Sequence, residues 1–210
     1  MDIIKALNWR YATKKFDSEA VISNEKIDLL KTAFNLTASS YGLQPVKMLI
    51  VSDKSTLNAL VPLSSNQKQV GQASHLCVFC VKTTIDEAYI RAFFDRIIAT
   101  NNTPDDVLSP FRSSVISSFE SKSDDDIFKW GAKQAYLAMG NMLTVCATQG
   151  IDACPMEGFD PEQYDRFFKL NEKGLRSVLV MPIGYRAEDD MFASMKKVRK
   201  PLADSIIEIK

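Results

Sequence analysis

The stretch from Phe128 to Thr148 does most to narrow what this chain can become. Trp130, Tyr136, Met139 and Leu143 predict a long apolar helix, and Gly150 stands where such a helix would stop. A helix this apolar cannot remain on a surface, so other elements must cover it, from this chain or from a second copy. Gly140 and the interspersed alanines predict close helix packing there. No stretch of the chain reaches the ~18 to 20 consecutive apolar residues of a membrane-spanning helix.

The remaining elements alternate around this helix. Asp2 to about Trp9 reads as a short helix, and Ser23-Asn24-Glu25-Lys26 as a capped helix start, with Lys26 where a capping box would have Glu or Gln. Val46 to Val51, His75 to Val81 and Ser177 to Ile183 read as strands. Lys54 to Leu63, Asp86 to Ile98 and Pro161 to Leu170 read as helices, and Ser205 to Ile209 as a final short strand. From about Ala99 to Asp126, prolines, scattered serines and an acidic run mark a mobile excursion or lid. No repeat or linker divides the chain, so residues 1–210 are expected to form one α+β domain.

Lys plus Arg and Asp plus Glu each number 26, so no net charge draws the chain to nucleic acid or to an anionic membrane. An anion site would have to be built locally. The beginning, Met1-Asp2-Ile3-Ile4-Lys5, lacks a basic leader and a cleavable apolar block. Cys77, Cys80, Cys146 and Cys154 all lie in apolar settings. Cys77 and Cys80 have the spacing of half a zinc or redox motif, but no second pair exists, so buried packing is the plainer reading. These features together point to a soluble protein of a reducing cytoplasm, without a metal.

GxGxxG, P-loop and HExxH motifs are all missing. One histidine, His75 at a strand entrance, leaves little room for a Ser-His-Asp or Cys-His hydrolase. If the chain is an enzyme, a cofactor supplies the chemistry. Arg10 with Lys14 and Lys197 with Arg199 form basic clusters near opposite ends of the chain. Each is a solvated turn on the plain reading and part of a phosphate cradle on the functional one, since Arg offers a planar fork matched to phosphate oxygens. The amides of Gln44 and of Asn66-Gln67-Lys68-Gln69 suit the donor–acceptor edge of a flavin. Cys154-Pro155-Met156-Glu157-Gly158-Phe159 is a loop that a planar ring could approach closely.

Several motifs now stand in a fixed order: Arg10-x-x-x-Lys14-x-Phe16, Ser39-Ser40-x-x-x-Gln44-Pro45, Asn66-x-x-Gln69, Ala73-Ser74-His75, Ala132-Lys133-Gln134-x-Tyr136, Gly150 to Phe159, and Lys197-x-Arg199-x-Pro201. In this order the chain resembles the FMN-dependent nitroreductase family nearly end to end, and within it the oxygen-insensitive NAD(P)H nitroreductase and dihydropteridine reductase branch. The resemblance implies a nitroreductase-like fold, with a central, mostly antiparallel sheet flanked by helices, in a domain-crossing homodimer.

It also implies roles. Arg10, Lys197 and Arg199 would grip the FMN phosphate, helped by Ser39 of the partner subunit. Lys14 would lie near N1 and O2 of the ring, and Asn66 and Gln69 at its pyrimidine edge. Ser40 and Gln44 would reach the flavin across the dimer interface. Pro155, Met156, Glu157 and Gly158 would line the ring face opposite the substrate, directing a backbone N–H at N5. Ala12 departs from the family's usual Ser, Gln69 from a Lys, and Tyr41-Gly42 from smaller or amide residues. Phe111 and Phe119 are candidate pocket aromatics in the poorly matching region.

The implied activity is ping-pong transfer from NADH or NADPH, through FMN, to a small acceptor such as a nitroaromatic, quinone, flavin or pteridine. No side chain is assigned a certain catalytic role; Glu157 could serve as a general acid or only hold the loop. A reductase specialised for enoates, or a flavin-storing protein without turnover, would present the same site.

Overall fold

Short polar side chains set where the helices begin in this computed structural model, which describes residues 2–210. Asp2 caps α1 (Ile3–Trp9), Ser23 caps α2 (Asn24–Asn35), and Asp53 caps α3 (Lys54–Leu60). Each accepts a backbone N–H that the first helical turn leaves unpaired. After β1 (Val46–Val51) and α3 come the one-turn α4 (Gln69–Gln72) and β2 (His75–Lys82). Asp86 then caps α5 (Glu87–Asn101), which is followed by α6 (Asp105–Glu120) and α7 (Asp124–Thr148). The chain closes with β3 (Asp152–Ala153), α8 (Pro161–Phe167) and β4 (Leu175–Gly184).

The four strands make one antiparallel sheet in the order β1-β2-β4-β3. β2 lies inside it, paired on both edges, and Leu76 through Val81 are fully buried. Its alternate residues feed two cores. Cys77, Phe79 and Val81 pack with Ile27 and Leu30 of α2 and with Met139 and Met142 of α7. Leu76, Val78 and Cys80 pack with Leu57 and Leu60 of α3 and Tyr164 of α8. Cys77 and Cys80 therefore serve opposite faces of the sheet and cannot share a metal. Burial pushes both thiols up to about 12. All four cysteines are free and buried.

The apolar helix begins four residues earlier than the sequence suggested. A cap like that of Ser23 explains this: Ser123 accepts from the N–H of Asp126, whose carboxylate reaches back to Ser123, and the three acids lie at the positive end of the helix. Gly131, rather than Gly140, is the point of close approach to the sheet. A Cβ at Gly131 would lie 3.2 Å from Cβ of Val81, whereas one at Gly140 would meet nothing within 4 Å. Tyr136 and Leu137 of this helix remain exposed.

One segment takes a form the sequence left open, and one differs from expectation. Most of Ala99–Asp126 is helical: α6 carries Pro110 inside it and buries Val115, Ile116 and Phe119 in a third core with Ile90 and Phe94 of α5. Three buried positions gave the sequence too weak a period to read. Ser205–Ile209 forms no strand, since no sheet edge among the described residues pairs with it; a 3-10 turn at Leu202–Asp204 precedes it. No helix among the described residues is long and apolar enough to cross a membrane.

Candidate cofactor site

The chain leaves α1 in an extended conformation at Arg10, and one buried carboxylate, Asp190, holds the loop from Tyr11 to Lys15. Asp190 accepts from the Tyr11 hydroxyl at 2.8 Å and from the backbone N–H of Lys14, Lys15 and Phe192 at 3.0, 3.3 and 3.1 Å. Burial acts to raise the Asp190 pKa, but these donors outweigh it and the carboxyl titrates below its usual range. Beneath the loop, Arg186 donates through N–H and Nε to the two Asp152 oxygens, each at 2.9 Å, and its guanidinium lies 4.2 Å from the Trp9 ring centroid. Asp190 thus ties the Arg10–Lys15 loop to the segment that leads into Lys197 and Arg199.

A cavity of about 380 Å³ results, lined by Arg10, Lys14, Lys197, Arg199 and the aromatic Trp9 and Tyr11. Arg10, Lys197 and Arg199 take part in no ion pair among the described residues. Lys197 Nζ donates to the Arg10 carbonyl, while Nε of Arg10 is buried without a hydrogen-bond partner among the described residues. Burial and the neighbouring Arg199 lower the Arg10 pKa, and burial with both arginines lowers that of Lys197. Three converging cations and an orphaned guanidinium N–H are what a dianionic phosphate would satisfy, so the residues present fit the phosphate end of FMN.

Lys14 leads from this cavity to the neighbouring loop. Its Nζ lies 3.8 Å from Cys154 Sγ, a weak acceptor, and burial raises the Cys154 pKa despite the nearby Lys14 ammonium. Gln69 is buried, with Nε2 at 3.9 Å from Met156 Sδ and 3.0 Å from Gln67 Oε1. Asn66 follows Ser65 in a left-handed turn, with φ of 57° and 54°. The Pro155–Gly158 loop hangs from β4 by paired Met156–Val180 backbone bonds. Glu157 accepts from the Tyr136 hydroxyl at 2.7 Å, an anchoring contact that raises the phenol pKa.

Ser39, Ser40 and Gln44 cluster elsewhere. Gln44 N–H donates to Ser39 Oγ at 3.0 Å, and Ser40 N–H to Gln134 of α7 at 2.8 Å. Ser39 and Gln44 border a cleft of about 410 Å³ that shares no lining residue with the basic cavity. Of the two candidate aromatics, Phe119 is buried edge-on against Trp130, while Phe111 is exposed and tilted against Tyr41. His75 is structural, its Nδ1 2.8 Å from Ser74 Oγ. Sequence reasoning missed Asp190, Arg186 and Asp152, and no local signal could have found Asp190, whose ligands at Tyr11 and Lys14 are 179 and 176 positions away.

Asp190→Asn removes an acceptor for several buried donors, and should cost about 1.5 to 3 kcal/mol at pH 7. The folded-state pKa is depressed, so the wild-type advantage is present above the unfolded pKa and is lost as pH falls through the folded pKa. Urea unfolding at pH 7 and near pH 3 checks this; a gap between variant and wild type that ignores pH would contradict it.

The sheet and its flanking helices thus set a basic cavity of about 380 Å³ whose Lys14 reaches the Cys154 end of the Pro155–Gly158 loop. The chain belongs to the Nitroreductase family, whose sequence pattern matches residues 7–185. It is 33% identical over 217 residues to the oxygen-insensitive NAD(P)H nitroreductase of Salmonella typhimurium, covering 100% of both chains. It is 32% identical over 219 residues to the enzyme of the same description from Enterobacter cloacae, covering 99% and 100%. In fold it matches a nitroreductase from Exiguobacterium sibiricum solved in complex with FMN, with TM-score 0.85 and 19% identity over 100% and 98% of the two chains.

Proposed function

We propose that this chain is an NAD(P)H-dependent FMN oxidoreductase of the nitroreductase type, which reduces small acceptors by ping-pong exchange at one site. The observation that carries the reading is the uncompensated cluster of Arg10, Lys197 and Arg199, with its orphaned buried Nε. The full-length relatives described as NAD(P)H nitroreductases support the activity. When bound, FMN supplies the chemistry, accepting a hydride equivalent from the nicotinamide and passing electrons to the acceptor.

The protein's part is binding, orientation and electrostatics. Arg10, Lys197 and Arg199 hold the phosphate. Lys14 sets positive charge near N1 and O2, while Asn66 and Gln69 meet the pyrimidine edge. Pro155, Met156, Glu157 and Gly158 form the floor under the ring. The Tyr136 bond to Glu157 favours an anchoring role for that carboxylate over general-acid work. Nitroaromatics, quinones, flavins and pteridines are the acceptor classes for such a site. The four free buried cysteines fit a reducing cytoplasm.

The working unit is a homodimer in which Ser39, Ser40 and Gln44 serve the partner's site. Their separation from the basic cavity supports this, as do exposed Ile3, Ile4 and Leu7 on α1 and Tyr136 and Leu137 on α7. Sedimentation at assay concentration should find a dimer; a fully active monomer would overturn this part of the reading. Chromatography of flavin released on denaturation tests the cofactor, with FMN expected because nothing beyond one compact basic cluster is available for an adenylate. FAD as the main species, or no flavin after reconstitution, would contradict the proposal.

A further inference from the structure

The side chain of Gln67 uses both ends of its carboxamide. Its Nε2 donates to the Gly158 carbonyl at 2.8 Å, and its Oε1 accepts from Gln69 Nε2 at 3.0 Å. It therefore spans from the buried Gln69 to the tip of the Pro155–Gly158 loop. Beyond the paired Met156–Val180 bonds to β4, two bonds hold the tip of that loop: Tyr136 hydroxyl to Glu157, and Phe159 N–H to the Glu157 carbonyl at 2.9 Å. Both carbonyls at the tip are thus occupied, while the N–H groups of Glu157 and Gly158 make no hydrogen bond among the described residues. The Gly158 carbonyl shares its peptide plane with the Phe159 N–H, which donates to the Glu157 carbonyl, and that carbonyl shares its plane with the free Gly158 N–H. The Gln67 bond thus orients the Gly158 N–H through two linked planes. The Glu157 N–H is fixed through the Met156 carbonyl, to which Val180 N–H donates. A Cβ on Gly158 would lie 2.9 Å from Gln67 Nε2, so glycine there makes the contact possible.

Resting on the cofactor reading above, we propose that Gln67 is a positioning residue. Its carboxamide couples Gln69, at the pyrimidine edge of the ring, to the loop whose free amides face the ring, so that both are set by one side chain. An amide at position 69 can donate to Gln67 while keeping its oxygen for another donor, which an ammonium could not do. Gln67→Leu breaks both bonds without adding charge. Gln67→Glu keeps the acceptor for Gln69, loses the donor to Gly158, and places negative charge where reduction gathers more of it.

The test compares both variants with wild type in two states. In FMN-free protein, hydrogen exchange at the Phe159 amide should rise on the order of tenfold in each variant, since one loop-holding bond is worth roughly a factor of ten. In FMN-loaded protein, the midpoint potential should fall in the order wild type, Gln67→Leu, Gln67→Glu, with flavin content retained because the basic cluster is untouched. Wild-type exchange and wild-type midpoints in both variants would overturn the proposal. A wild-type chain that takes up no FMN would instead overturn the cofactor reading, and this positioning role with it.

Discussion

Arg199→Ala should weaken FMN binding by roughly one to two orders of magnitude while leaving the FMN-free protein at least as stable as wild type. Charge-assisted contacts to a phosphate contribute ~1.5 to 3 kcal/mol each, which sets the size of the loss. The second half of the expectation comes from the cavity itself. Arg10, Lys197 and Arg199 face one another with no ion-pair partner among the described residues, and Arg199 acts to lower the pKa of both neighbours. Removing one cation relieves repulsion in the FMN-free state and removes attraction in the bound state. The two effects have opposite signs, which separates a ligand site from a solvated turn. Fluorescence titration with FMN and urea unfolding of the FMN-free variant measure them. Unchanged affinity would place the phosphate elsewhere.

Lys14→Met should lower the midpoint potential of the bound flavin and slow its reduction by NADH on the order of tenfold or more. Reduction places negative charge at N1 and O2, so a nearby ammonium stabilises the product of that step more than its neutral starting state. Even at an effective dielectric of about 20, a unit charge at ~4 Å exceeds the ~1.4 kcal/mol that a factor of ten requires. Among the described residues Lys14 Nζ has only the Cys154 sulfur as a hydrogen-bond partner, and no carboxylate there pairs with it. Gln69 is neutral, which leaves Lys14 as the main charge expected near N1. FMN affinity should fall less than in Arg199→Ala. A redox titration with stopped-flow reduction decides the matter; a wild-type midpoint and rate would return Lys14 to the status of a surface turn residue.

The range of each interaction decided whether the sequence revealed it or hid it. Ser23 and Asp86 announce their helices because a cap acts within a few residues, and β2 announces itself because a strand buried on both faces reads as an unbroken apolar run. The basic residues were visible as clusters. Their convergence was legible only through the family resemblance and not from local pattern, because it depends on Asp190, which binds a loop at the far end of the chain and has no pattern of its own. β3 is two residues long, too short for any period. The Ser205–Ile209 tail has the β-branched isoleucines of a strand, but strand formation needs an edge, and composition cannot supply one.

The absorbance spectrum of the purified, FMN-reconstituted protein, before and after anaerobic NADH, tests the central claim most directly. The account predicts a yellow protein with bound-flavin absorption that bleaches on NADH addition and returns when a nitroaromatic or quinone is supplied. A protein that holds FMN but does not bleach with NADH or NADPH would be a flavin carrier and would contradict the oxidoreductase account.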